Sequence, residues 1–566
     1  MGRRLIPTSV GGRVAVGAAL ILLASLHAPW YVAHGAGGAA ITLSALDAFA
    51  SVDVALGLAA LCSLGLAVGS RSRAAGIARG LTGAGATALI ARRMASLPSV
   101  PVHPYSLLYV HAGGLRWGAV LGLAAAVTIT GAAVADVVRG PRKRPALLSP
   151  EAGIAARDAW SATWVSRVVV LIAGVIGALR FEPAGVSTSP LQHPFGHLGN
   201  VLLAPSVSWD ARPYMEIAQA GYYDVSHTAY FPLYPLAVRA GNWLIGSYAV
   251  AGVLISVLAL TIALTLLHRL VTLDVGEQFA RAAVMATALF PMSLFFSAVY
   301  TESLFLALSL GCFYAARRQR WAWAGVLGAL ASATRNTGVL LLVPVLILYL
   351  YGPSPATRRL RDAARGARHG IARLRPRYPL RADVLWALLI PLGLVAFLVY
   401  LSSRHGLGAA APFDSEKNDA MRHVRPLAGL WDGARDAFRA LRQLNAGPGH
   451  RYLDTWNGSP RDFAAEMALV EFSFVAFALA ALAGVLRRLP FAYGAYAAAA
   501  VLVAVSTPAS YDAVVSVPRY VAVIFPLTAW LGIVACERRR LDTVLIVSSA
   551  LLAVFAMQFG GFRFVA

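Results

Sequence analysis

The sequence predicts an all-α polytopic membrane protein, with a core of about 11 transmembrane helices preceded by a four-helix N-terminal membrane module. Three observations predict it. Of 566 residues, 58% are apolar and only 13% are charged, against about 25% charged in an average soluble domain. The mean hydropathy is +0.65. Apolar runs near the ~20 residues that a helix needs to cross hydrocarbon recur along the whole chain.

The runs fall in order. Residues 13–32, 48–69, 75–95 and 115–137 make an N-terminal module, 1–137, whose spans hold few charges and no recognisable chemistry. The Met1-Gly2-Arg3-Arg4 start, followed by an apolar run to His27, reads as an uncleaved signal anchor because further spans follow. A basic linker, 138–157, separates the module from a core at 158–566. Core runs lie at 164–181, 247–268, 280–298, 300–316, 321–335, 338–352, 384–402, 466–486, 490–507, 520–536 and 541–558, fifteen in all with the first four.

Between the runs sit basic clusters: Arg3-Arg4, Arg71 with Arg73, Arg142-Lys143-Arg144, Arg317-Arg318 with Arg320, Arg487-Arg488, Arg538 to Arg540, and nine arginines from Arg358 to Arg381. The net charge of +23 therefore reports cytoplasmic loops and contact with anionic membrane lipids, and no nucleic-acid surface. Arg92-Arg93 is the main exception to the pattern. Only two lysines, Lys143 and Lys417, stand beside abundant Ala, Arg and Gly, which points to a GC-rich bacterial genome and a bacterial plasma membrane. Cys62, Cys312 and Cys536 all lie in or at the end of apolar runs, so no disulfide framework is expected.

With the N-terminus in the cytoplasm, loops 182–229 and 403–465 and the turns near 299–301, 335–338 and 508–519 face outward. The unusual polar residues gather there: Asp210, His227, Glu302, Arg335, Asn336, Asp512, Arg519 and Tyr520. Polar residues segregated to one side argue for an active site on the extracytoplasmic face.

Asp210, in Ser208-Trp209-Asp210-Ala211, has two readings. It precedes a periodic run with Pro213 in its first turn, which suits a helix N-cap. It equally suits a general base, a carboxylate near an apolar surface within reach of a hydroxyl. Trp209 suits stacking on a sugar or an interfacial aromatic belt. His227 and Asp224 follow the same helix and could join the site or belong to a solvated loop. Glu302, in Tyr300-Thr301-Glu302-Ser303-Leu304-Phe305, is an ionisable group between two apolar runs, and such groups mark function. Arg335, in Thr334-Arg335-Asn336-Thr337-Gly338, and Arg519, in Pro518-Arg519-Tyr520, lie at outer span ends. A guanidinium there can fork onto lipid phosphate, pair with Glu302 or Asp512, or snorkel to headgroups. No phosphate-binding loop, dinucleotide fingerprint, zinc-spaced set or Gly-x-Ser-x-Gly elbow is present in a credible context, and no metal or other cofactor is indicated. The acidic residues of 403–465 (Asp414, Glu416, Asp419, Asp432, Asp454) look like a solvated face.

Four strings in order resemble the PIG-V-like mannosyltransferases: Trp209-Asp210 with its Phe231-Pro232-Leu233-Tyr234-Pro235 tail, Tyr300-Thr301-Glu302-Ser303, Thr334-Arg335-Asn336-Thr337-Gly338, and Pro518-Arg519-Tyr520. The closing Phe559-Gly560-Gly561-Phe562 is similar too, and the resemblance covers about 160–566. Arg212-Pro213 and Tyr230, which stands where Phe is usual, depart from it. The resemblance implies a glycosyltransferase of the GT-C superfamily. It would move a hexose, mannose first, from a polyprenyl-phosphate donor to a glycolipid, glycan or protein acceptor with inversion, with Asp210 as base. Trp209, His227, Glu302, Arg335, Arg519 and Tyr520 would bind substrate, without a metal. A transporter or flippase for a lipid-linked sugar is the rival from another class. It would place ionisable residues near the midplane and show internal repeats, and no repeat is detected here.

Overall fold

The computed structural model describes the chain except residues 1–9, 27, 35–39, 45–55, 58, 61, 65–72, 96–98, 102–108, 140–149, 182–188, 353–379, 404–407, 419–423, 448–449, 454–460, 510–511, 564 and 566. Most of the second apolar run, much of the basic linker and most of the nine-arginine stretch lie outside the described residues, as do Asp419 and Asp454. The chain divides into two compact units, Met1–Arg157 with His193–Leu203, and Asp158–Gln192 with Ala204–Ala566.

The first unit contains helices α1 (Val10–Ser25), α2 (Arg73–Ala95) and α3 (Trp117–Arg139). It also holds four short strands, β1 (Pro29–His34), β2 (Ala40–Ser44), β3 (Ser99–Pro101) and β4 (Tyr109–Leu115). The strands pair antiparallel in the order β2-β1-β4-β3. This sheet corrects the all-α expectation. Pro29 cannot continue α1, and the Trp30-Tyr31-Val32 that follows it suits a pleated strand. A short apolar run cannot by periodicity tell strand from helix. Trp30 and Tyr31 are fully buried among Leu22, Ile90, Ala126 and Ile129, and the Trp30 indole donates to the Ser25 carbonyl at 2.5 Å. The α2 helix carries Arg79, Arg92 and Arg93 and is not among the described helices apolar enough to cross a membrane.

The second unit is helical. Its elements, with two that begin before it, are α4 (Pro150–Arg180), α5 (His197–Val207), α6 (Ala211–Ala220), α7 (Leu233–Ile245), α8 (Tyr248–Asp274), α9 (Glu277–Ala288), α10 (Glu302–Arg317), α11 (Trp321–Ser332) and α12 (Leu342–Tyr351). There follow α13 (Leu392–Ser402), α14 (Ala411–Asn418), α15 (Ala428–Ala446), α16 (Arg461–Arg488), α17 (Phe491–Val505), α18 (Val517–Val523), α19 (Phe525–Glu537) and α20 (Leu541–Gly560). Single 3-10 turns cover Val225–Ala229, Pro291–Phe296, Asn336–Leu341 and Ala382–Leu389.

By length and composition, five described helices can cross a membrane, and up to seven if two bent pairs each count as one span. This is a multi-pass membrane protein, and among the described residues several of the fifteen apolar windows do not form a single long helix. The reason is local. The 280–298 and 300–316 windows become α9, a 3-10 turn begun by Pro291, and the 16-residue α10. Proline ends the regular ladder while leaving the window apolar. The break leaves the last carbonyls of α9 without helical partners. Arg167 of α4, buried, bridges the break: it donates to the Ser293 carbonyl at 2.7 Å, Ser297 Oγ at 2.9 Å, Ser293 Oγ at 3.0 Å and the Ala288 carbonyl, the last of α9, at 3.4 Å.

Helix α4 crosses α20 at small residues. A Cβ on Gly177 would overlap the Met557 carbonyl, and one on Gly560 would overlap the Gly174 carbonyl. Gly177→Leu therefore forces the helices apart and should lower the thermal unfolding midpoint in detergent, with overpacking of this kind costing about 1–3 kcal/mol. An unchanged midpoint would refute the close crossing.

Candidate active site

The site begins at the junction of α5 and α6. Trp209 adopts φ +56°, a left-handed conformation that a bulky residue takes only where its surroundings enforce it. Two contacts enforce it here. The Trp209 indole donates to the Arg563 carbonyl at 3.2 Å, and the Asp210 backbone N–H donates to the Tyr300 hydroxyl at 3.0 Å. The Tyr300 hydroxyl in turn donates to the Ser208 carbonyl at 3.1 Å. The kinked turn aims Asp210 away from the helix it precedes, and its side chain makes no capping bond to α6. Of the two readings of this aspartate, the cap is removed.

The Asp210 carboxylate accepts instead from Arg519 Nη1 at 2.7 Å and from the Tyr230 hydroxyl at 3.4 Å. Arg519 Nε lies 3.3 Å from Glu302 Oε1, and the same oxygen accepts from Arg335 Nη1 at 2.8 Å. Four charges thus alternate in a row: Asp210, Arg519, Glu302, Arg335. Exposure is greatest at the Asp210 side chain, 36%, falls to 13% at Arg519 and 1% at Glu302, and returns to 13% at Arg335. The open end is the carboxylate. Glu302 is fully committed through Oε1, while its Oε2 is buried with no hydrogen-bond partner. Tyr520 lies between the two guanidiniums, 5.0 Å from Arg335 and 5.7 Å from Arg519, centroid to carbon, each a cation–π approach.

Elements from across the chain bring these groups together. Arg519 sits in the first turn of α18, which Pro518 starts and which meets α19 at a 72° bend with Pro526 just past the break. Glu302 opens α10, where the helix N-terminus favours a carboxylate. Arg335 is extended between α11 and the 336–341 turn. Gly338 is required there, since a Cβ would collide with the Ala331 carbonyl and Ser332 N. The Phe231-to-Pro235 string docks on the same turn, Leu233 N donating to the Ala333 carbonyl at 3.1 Å. Tyr234 continues the chain of bonds to Ser256 at 2.8 Å, and Ser256 donates to the Ala298 carbonyl at 2.8 Å. Tyr214 stands edge-on to Tyr230 and Tyr234, with centroids 5.0 and 5.5 Å away.

Beyond Arg335 opens a cleft of about 640 Å³, counting its mouth. Arg335, Asn336, Thr337 and Tyr520 line its polar side, and Phe305, Tyr496 and Val503 are among its apolar walls. A guanidinium at the edge of an apolar groove presents one head group and one hydrocarbon path.

Of the sequence candidates, Asp210, Glu302, Arg335, Arg519 and Tyr520 meet, and Trp209 frames Asp210. His227 pairs elsewhere: its Nε2 lies 3.2 Å from Glu216 Oε2 and its ring abuts Tyr223. Asp224 caps the 225–229 turn, accepting from Ser226 N at 2.7 Å, and the Ser226 hydroxyl, then that backbone bond, hold its carboxyl below the usual range. Asp512 pairs with neither arginine and accepts from Val514 N at 3.0 Å. The 403–465 loop is more than a solvated face. Its α14 packs on the 225–229 turn, with Ser415 Oγ donating to the Ser226 carbonyl at 3.2 Å.

Sequence reasoning missed Tyr300 and Tyr230 as site residues. Tyr300 stands two residues before Glu302, but nothing in the sequence ties it to Asp210, 90 positions earlier. Tyr230 was visible only as a departure from the Phe of similar chains. Burial, then the Asp210 carboxylate, pushes the Tyr230 hydroxyl well above its ordinary pKa, so it remains a hydrogen-bond donor.

This geometry, a partly exposed carboxylate linked through Arg519, Glu302 and Arg335 to an apolar cleft, can be set beside known proteins. Residues 180–349 match the mannosyltransferase (PIG-V) family. That segment contains Asp210, Glu302 and Arg335. The chain is similar to GPI alpha-1,6-mannosyltransferase 2 of Cricetulus griseus, 33% identical over 150 residues, which cover 24% of this chain and 30% of that protein. The Mus musculus protein of the same name is 29% identical over 174 residues, 29% of this chain and 34% of that one. The matched segment spans about a third of the length of these relatives. Among solved structures, the archaeal oligosaccharyltransferase AglB from Archaeoglobus fulgidus, in complex with an inhibitory peptide and a dolichol-phosphate, aligns over 71% of this chain and 56% of its own. Its identity is 14% and its TM-score 0.32.

Proposed function

We propose that the protein is a membrane glycosyltransferase that moves a hexose, mannose first, from a polyprenyl-phosphate donor to an acceptor hydroxyl outside the cytoplasm. The observation that carries this reading is the charge row from the open Asp210 carboxylate to Arg335 at the apolar cleft. The match to the mannosyltransferase family supports the reaction class.

In this reading Asp210 takes the proton of the acceptor hydroxyl. The hydroxyl oxygen attacks the anomeric carbon from the face opposite the phosphate. The bond from that carbon to the phosphate oxygen breaks, and polyprenyl phosphate leaves with the electron pair, so the anomeric centre inverts. Arg335 and Arg519 neutralise the departing phosphate, the use to which fixed cations at a developing charge are best put. The prenyl chain occupies the cleft between Phe305, Tyr496 and Val503. Tyr230 holds the second oxygen of Asp210, and the Trp209 indole borders the acceptor side.

The test is transfer of labelled mannose from polyprenyl-phosphate mannose by the purified protein in nanodiscs, with a lipid extract of the host as acceptor. Arg335→Gln should raise the donor KM about 10-fold or more, as loss of a charge-assisted bond to phosphate does, with a smaller change in kcat. If labelled lipid-linked sugar instead crosses the bilayer intact in proteoliposomes with no transfer product, the protein is a transporter and this reading fails.

A further inference from the structure

Outside the site, one element has a surface that neither the fold nor the proposed reaction uses. Helix α15 packs through small residues: Ala428, Gly429, Gly433, Ala437, Ala440 and Gln443 are buried. A Cβ on Gly429 would meet the Val505 and Ala513 carbonyls, and one on Gly433 would meet Val514 and Phe472. The helix is thereby pinned at the C-terminal end of α17 and beside α16, whose Phe463–Arg488 stretch is long and apolar enough to span. Its outer side is the reverse of its packing side. Trp431 is 71% exposed, Phe438 62% and Leu441 57%. At 100° per residue these three form one stripe. Arg435, Arg439 and Arg442, all exposed, form a second row along its edge. Arg439 pairs with Asp436 at 3.4 Å, and Arg442 lies over the Tyr452 ring.

We propose that α15 lies in the plane of the membrane as an interfacial anchor, its Trp431–Phe438–Leu441 stripe among acyl chains and its arginine row on anionic lipid headgroups. A helix with a strong apolar face, an aromatic within it and arginines beside it is the pattern that binds a bilayer surface. Charge complementarity favours this occupant over a second copy of the chain, whose α15 would bring the same arginine row against this one. Position favours it too, because α15 packs against α16, a helix long and apolar enough to span. Aromatic and arginine side chains are favoured at that depth because each has an apolar body and a polar tip.

The experiment uses the full chain in nanodiscs of phosphatidylcholine with or without phosphatidylglycerol. Cys62, Cys312 and Cys536 are replaced, and a spin label is placed at Phe438→Cys, Leu441→Cys or Arg439→Cys. Collisions with oxygen should dominate at 438 and 441, and collisions with a water-soluble nickel chelate at 439. Arg435→Gln combined with Arg442→Gln should make the 438 label shallower in the phosphatidylglycerol discs alone. Equal nickel access at 438 and 439 would mean a solvated helix and overturn the proposal. Protection of 438 from both reagents only in discs holding two copies would show a protein–protein face, and would overturn it as well. Depth independent of phosphatidylglycerol would overturn the headgroup contact.

Discussion

Asp210→Asn is expected to lower sugar transfer by about 10²–10⁴-fold, the usual worth of a positioned general base, with the donor KM little changed. The substitution keeps shape and removes the capacity to take a proton, together with the charge paired with Arg519. Arg519 retains Glu302 as a carboxylate partner at 3.3 Å, so the site is not left with an unpaired buried cation. The Asp210 side chain is 36% exposed, and no bond to α6 is lost because none exists. Unfolding midpoints should therefore fall much less than for a substitution of the buried Glu302. Tyr230→Phe in the same assay should cost less than about 10-fold, since it removes only a neutral hydrogen bond, here a long one of 3.4 Å. Full transfer by Asp210→Asn would exclude this carboxylate as the base and would leave the row of charges as an ion-pair lattice alone.

Glu302→Gln should do the opposite: it should strike stability first. Glu302 is 1% exposed and its Oε1 serves both Arg335 and Arg519. Without its charge, Arg519 keeps Asp210 as a partner, but the largely buried Arg335 guanidinium loses the carboxylate it is paired with. Removing one partner of a buried pair costs about 3–5 kcal/mol, because the other charge stays buried and uncompensated. The thermal midpoint should fall clearly, and transfer should fall with it. The double substitution Glu302→Gln with Arg335→Gln removes one charge of each sign. It should recover a large part of the midpoint but not the transfer, since the cleft then lacks its cation. A midpoint for Glu302→Gln equal to the wild type would mean that water or an ion, rather than Glu302, compensates the arginines.

The chain's composition alone settles its solvent. With 58% apolar residues and basic clusters between apolar runs, no soluble fold was open to it. It also singles out the polar residues that such a chain can ill afford, Asp210, Glu302, Arg335 and Arg519, because each breaks an apolar context at an expected outer turn. Those identities are local facts, and local reasoning reaches them. The number of full spans is not local. Windows of apolarity cannot register Pro291 ending a helix, Ile524 turning one by 72°, or the Trp30-Tyr31 run forming a strand, since all three leave hydropathy untouched. Nor can the sequence choose between cap and base for Asp210. That Asp210 makes no capping bond rests on the left-handed turn at Trp209, held by Tyr300 and the Arg563 carbonyl, 90 and 354 positions away. The same holds for which cation meets which carboxylate. Sequence determined which charges the protein keeps inside an apolar body, and the tertiary structure decided their order, because pairing depends on distances of a few ångströms between segments that only packing brings together.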